Sequence, residues 1–159
     1  MPFILSEQRE GDVTAAFARY REYLRTVQST FPPSAFALAS SEWYFDCRDH
    51  RCPHDGWLES ITISEPSEGE RHEIRAVTIC VRLLAAYHDG SIELVYPRVF
   101  NYTLAGGDIT GGHRDWCYDE FRLSDRGAVI HEIEWQHGHS FSRWIIEASD
   151  VQHEFTPTV

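Results

Sequence analysis

The stretch VTICVRLLAAYHDGSIELVYPRVFNY, Val77 to Tyr102, sets an Asp89-Gly90 pair between two long alternating runs, the strongest short-range signal for a β-hairpin. A two-residue turn there places Tyr87 opposite Ile92, Ala85 opposite Leu94, Leu83 opposite Tyr96, Val81 opposite Arg98, Ile79 opposite Phe100 and Val77 opposite Tyr102. Only Arg98 breaks that apolar face. The run from Arg75 to Tyr87 is apolar on nearly both faces near its end, because Leu84 then meets Val95 and Cys80 meets Val99. Such a strand is expected to be central and covered on both sides.

Upstream, Asp12 is a plausible N-cap, and Val13, Phe17, Tyr20, Leu24 and Val27 recur at spacings of four and three, one face of an amphipathic helix. Phe31-Pro32-Pro33 stops it. Ser34 to Ala39 reads either as one more helical turn or as a lead-in to the next strand. Strands begin at Trp57, where Trp57, Glu59, Ile61 and Ile63 alternate with Leu58, Ser60, Thr62 and Ser64, and Pro66 to Gly69 turns the chain.

Downstream, a glycine-rich crossing (Gly106, Gly107, Gly111, Gly112) leads to a second hairpin turned by Asp125-Arg126. Its register sets Trp116 against Trp135, Tyr118 against Ile133 and Glu120 against His131. On the reverse side it sets Phe121 against Ile130, Asp119 against Glu132 and Cys117 against Glu134. Directly opposed carboxylates repel unless a cation or a shared proton separates them. Ser142 to Ala148 extends the sheet, and Val151 to Phe155 adds a short edge. These elements predict an α+β domain spanning residues 1–159: an N-terminal amphipathic helix packed on a curved, mostly antiparallel sheet of five to seven strands.

The chain has 159 residues, 42% of them apolar and 13% aromatic, which excludes disorder and suits one domain. No apolar run approaches a membrane span, and the first residues lack the pattern of a signal peptide, so the expected address is cytoplasmic. Twenty-five acidic residues against 14 basic ones give a formal charge of −11, which opposes binding to nucleic acid or anionic lipid and favours a basic protein partner. The glycines of the crossing are not a phosphate loop, and no nucleophile elbow, His-Glu-x-x-His motif or cofactor-binding motif is present.

Three groups of residues remain as candidates. Asp119, Glu132 and Glu134 form an expected acidic strand face, suited to docking a basic partner such as the target of an inhibitor or immunity-like protein. The rival reading is a small organic anion held against Arg98 in a curved-sheet pocket lined by Tyr96, Tyr102 and His131, with Glu120 orienting His131 as a general base. Cys47, His50, Cys52 and His54 carry zinc-ligand chemistry, but four ligands within eight residues, with Pro53 among them, crowd one ion. The favoured reading of that segment is a polar loop without metal, with a Cys47–Cys52 disulfide as a further alternative.

Overall fold

The computed structural model describes residues 1–159. Three helices, α1 (Ser6–Arg9), α2 (Val13–Val27) and α3 (Pro33–Ala39), precede nine strands. These are β1 (Trp57–Ser64), β2 (Ser67–Glu68), β3 (Ile74–Arg75), β4 (Val77–Leu84), β5 (Gly90–Leu104), β6 (Asp115–Leu123), β7 (Val129–His137), β8 (Ser140–Ala148) and β9 (Gln152–Pro157). The protein is α+β, with N-terminal helices over a curved antiparallel sheet of seven strands; β2 and β3 form a separate small arm.

The Asp12 side chain accepts a hydrogen bond from the Ala15 N–H and caps α2. Its buried face is Ala16, Tyr20 and Leu24, while Val13 is exposed. Ser34 to Ala39 resolves as helix: Pro33 opens α3 at a position where a missing N–H costs nothing, and the Asp150 carboxylate receives the Ser34 and Ala35 N–H groups at 3.1 and 2.8 Å.

The sheet curls until it nearly closes. Strand β1 pairs with β4, β4 with β5, β5 with β8, β8 with β7 and β7 with β6, and β6 returns to β1 through the single pair Trp57–Asp115. Strand β9 continues along β5 beyond the end of β8. Aromatic side chains fill the interior, with Trp116, Trp135, Trp144, Tyr44, Tyr96 and Phe121 among the largest that are fully buried. One apolar cluster runs from Ile4 to Val151.

Along the seam between β1 and β6, helix α2 satisfies the edge of β6. The Tyr20 hydroxyl donates to the Phe121 carbonyl and accepts from its N–H, both at 2.8 Å, and the Tyr23 hydroxyl accepts from the Leu123 N–H at 2.8 Å. Burial holds the Tyr20 phenol well above its ordinary pKa, so it stays a donor. This is a covered edge in the sense that prevents unwanted strand pairing.

Both expected hairpins form, with altered registers. In the first, Leu83 faces Ile92 and Val81 faces Leu94, because Ala85 to Asp89 makes a longer turn closed by the Ala85 N–H on the Gly90 carbonyl at 3.0 Å. His88 takes a positive φ of 57° there. The shift is even, so the apolar face is preserved. Strand β4 is buried on its inner face only, since Thr78, Cys80, Arg82 and Leu84 are half-exposed; cover on both sides is corrected to cover on one. In the second hairpin Phe121 faces His131 and Glu120 faces Glu132 near the turn, and a bulge between Trp116 and Asp119 restores the Trp116–Trp135 pair.

Candidate functional site

The altered register divides the expected acidic face. Asp119 points into the core, 3% exposed, where its carboxylate collects donors from the Tyr44 hydroxyl at 2.6 Å, Trp116 Nε1 at 2.9 Å and His131 Nε2 at 2.7 Å. The other imidazole nitrogen, Nδ1, lies 2.7 Å from the Tyr96 hydroxyl. Burial raises both phenols well above their ordinary pKa, so Tyr44 and Tyr96 donate. This geometry fits the His131 tautomer protonated on Nε2. The partner of His131 is therefore Asp119 and not Glu120, and the ring is fully buried against Phe121, 4.2 Å between centroids. Such a satisfied network specifies packing; a general base needs reach to a substrate, and His131 is sealed in the core.

Glu132 and Glu134 lie on the opposite face with Glu120, and all three are buried. The Arg122 guanidinium bridges Glu120 and Glu132, the latter at 2.6 Å, and Arg143 reaches Glu132 and Glu134 at 3.4 and 3.3 Å. The N-terminal segment closes over them: Phe3 and Ile4 donate backbone N–H groups to Glu120 at 2.9 and 2.8 Å, Ser6 donates to Glu134 at 2.8 Å, and Arg9 pairs with Glu134 at 2.7 Å. Asp119, Glu132 and Glu134 thus do not form one open docking surface. Glu134 is occupied by the chain's own N-terminal segment, and Glu132 by Arg122 and Arg143.

The residues of the expected anion pocket are also separated. Pro97 and Arg98 bulge out of β5 opposite the single β4 residue Thr78, leaving Arg98 exposed with its guanidinium 5.4 Å from the Phe100 ring. Tyr102 is exposed, while Tyr96 and His131 are in the core. The Cys47 to His54 side chains diverge: His50 bonds Asp89 and stacks on Tyr87, His54 lies 3.3 Å from Asp55, Cys47 is exposed, and Cys52 is buried with its thiol pushed up to about 12 by desolvation. Both cysteines are free thiols, and no group of three or more ligating side chains is gathered to hold a metal.

His153 was not among the candidates, yet it ties this loop to the sheet. Its Nε2 meets the Arg51 carbonyl at 3.0 Å and its ring packs edge-on against Trp43. Desolvation lowers its pKa below the ordinary value of 6.5. The unfolded chain consequently binds the proton first, and stability falls as pH drops through 6.5 toward the lower folded-state value. We expect His153→Gln to flatten the dependence of urea-unfolding stability between about pH 7 and pH 5; an unchanged slope would assign that dependence to other groups.

The surface left open is the edge of β1. From Leu58 to Ser64 this strand is paired on one side only, and most of its residues are exposed. Ile63, on the face continuous with the buried Ile79, is 42% exposed, and Trp57 is 49% exposed. The arm beyond it carries Glu65, Glu68, Glu70 and Glu73 against Arg71 and Arg75, all exposed. Glu59 sits at a bulge in β1, between Leu58 and Ser60. Alternation in the sequence marks β1 as a strand, but its lack of a second neighbour has no local signal.

Comparison with protein families, curated proteins and solved structures found no match for this chain.

Proposed function

We infer that this protein is an acidic protein-binding domain which takes an extended, basic segment of its partner along the open edge of β1. The observation that carries this reading is the one-sided pairing of Leu58–Ser64 beside a net acidic arm. An unpaired strand edge supplies main-chain donors and acceptors for strand addition, and exposed apolar residues supply the side-chain pockets. The acids select the occupant. A second copy pairing antiparallel through the same edge would bring Glu59 of one chain toward Glu65 of the other, which disfavours self-association, whereas a basic strand meets complementary charge. An inhibitor or immunity-like role fits a module of this kind. The four free thiols support a reducing compartment, hence the cytoplasm, and no helix is long and apolar enough to cross a membrane.

The test is affinity capture from the source cell with the wild type and with a Glu59→Arg, Glu65→Arg, Glu68→Arg variant, followed by amide hydrogen exchange on the purified complex. We expect a basic partner whose binding weakens with salt and falls at least about tenfold in the variant, together with slowed exchange between residues 58 and 64. Equal binding by the variant, or protection that spares β1, would remove the edge from this role.

A further inference from the structure

The open edge of β1 differs between its two faces. A bulge at Glu59 brings Leu58, Ile61 and Ile63 onto the inner face, opposite Leu83, Val81 and Ile79 of β4, all three fully buried. The β1 residues are not: Leu58 and Ile61 are half-buried and Ile63 is 42% exposed. The apolar core thus reaches β1 and stops there without a cover. On the outer face stand Ser60, Thr62 and Ser64, all exposed, opposite Arg82, Cys80 and Thr78.

The edge also differs between its two ends. At the Ser64 end the arm carries Glu65, Glu68, Glu70 and Glu73 against only Arg71 and Arg75. At the Leu58 end Glu59 and Asp115 are matched by Arg82 and Arg114. Glu59 lies 3.8 Å from Arg82, Asp115 accepts from Trp57 Nε1 at 2.8 Å, and the Arg114 guanidinium packs against Gly111. Strand β6 occupies the edge up to this end: the Trp116 N–H donates to the Gly56 carbonyl at 3.0 Å, the Asp55 N–H donates to the Trp116 carbonyl at 2.8 Å, and the pair Trp57–Asp115 ends the ladder. Beyond it the glycine-rich crossing does not pair with β1, and a cleft of about 530 Å³ opens there, bordered by Trp57, Leu58 and Gly111 to Asp115.

We infer that the segment taken by β1 runs antiparallel to it, places apolar side chains at alternate positions beside Leu58, Ile61 and Ile63, and carries its basic residues N-terminal to that alternation. The inference rests on strand addition at β1 as read above, and adds the direction and residue pattern of the occupant. Direction follows from the sheet. Every pairing in it is antiparallel, that of β6 on this same side of β1 included, and a strand continuing the track of β6 runs toward Asp115. Its C-terminal end then arrives at the cleft beside Leu58, and its N-terminal end lies by the acidic arm. Alternation follows from the pleat, because successive side chains of the added strand fall on the inner apolar face and beside the outer hydroxyl row in turn. Charge follows from complementarity: lysine or arginine meets an excess of carboxylates at the arm and balanced charge at the other end.

Synthetic peptides of equal composition, blocked at both ends, test it on the full-length ¹⁵N-labelled protein. One has a lysine run followed by alternating valine and threonine, a second has the reverse order, and a third has the lysine run followed by the valines and threonines in separate blocks. We expect the first to shift the amide signals between residues 58 and 64, and to bind at least about tenfold tighter than either of the others. A nitroxide at its lysine end should broaden residues 65–75 more strongly than Gly111 and Gly112. The inference is overturned if the second or third peptide binds as tightly as the first, if the label broadens the crossing more than the arm, or if no peptide engages β1. Strand addition itself stands in that last case where the natural partner still protects residues 58 to 64, whereas a partner complex that spares β1 removes both.

Discussion

Replacing Asp119 by alanine should cost the fold about 3–5 kcal/mol, the range for breaking a buried polar cluster by removing one partner. Three donors converge on its carboxylate, from Tyr44, Trp116 and His131. Truncation strands all three in a site closed to solvent, and each orphaned donor costs on the order of 1–3 kcal/mol, not additively. Asparagine distinguishes lost hydrogen bonding from lost volume. Its oxygen still accepts from one neighbour, and His131 can answer the new amide N–H by moving its own proton to Nδ1. Asp119→Asn should therefore lose only about 1–2 kcal/mol, with a change of tautomer visible in imidazole ¹⁵N shifts. Urea unfolding measures both variants; equal losses for alanine and asparagine would show that packing, and not the donor set, is what Asp119 contributes.

Arg122→Ala should destabilise on a similar scale, about 3–5 kcal/mol at neutral pH, by a different mechanism. Glu120 and Glu132 are direct cross-strand partners, both buried, and Arg122 reaches both with one guanidinium. Without it two carboxylates face each other, relieved only by the N-terminal N–H groups on Glu120 and by Arg143 on Glu132 at 3.4 Å. The variant should recover part of its deficit on acidification, because protonating one of the pair in the folded state removes the repulsion. Arg122→Lys keeps the charge but not the fork that spans both partners, and should fall between. Denaturant melts of the three proteins between about pH 4 and pH 7 would decide the matter. A deficit in Arg122→Ala that does not shrink toward low pH would contradict the repulsion mechanism.

The turn composition and alternation around Gly90 and Asp125 located both hairpins, and the spacing from Val13 to Val27 located α2. Register was less legible. A positive φ at His88 and at Gly127 lengthens each turn beyond two residues, and an even shift in the first hairpin leaves its faces intact while an odd shift in the second exchanges Asp119 and Glu120 between faces. That exchange is why Asp119, expected on an acidic surface, lies in a core network. The expected opposition of Asp119 and Glu132 is absent, because Asp119 faces Ile133; the directly opposed carboxylates are Glu120 and Glu132, with Arg122 as the separating cation.

Local chemistry was sufficient to determine that this chain forms helix and antiparallel sheet, because helix periodicity, strand alternation and turn residues act over a few neighbours. Only tertiary structure decided which acids are available. The N-terminal segment folds back across more than a hundred residues of sequence to cover Glu120 and Glu134, near-closure of the sheet stops at one pair and leaves β1 open, and the glycine-rich crossing comes to rest over two indoles with unpaired N–H groups. Each is a contact between distant segments, set by how whole elements pack, and no pattern in a short window of residues encodes it.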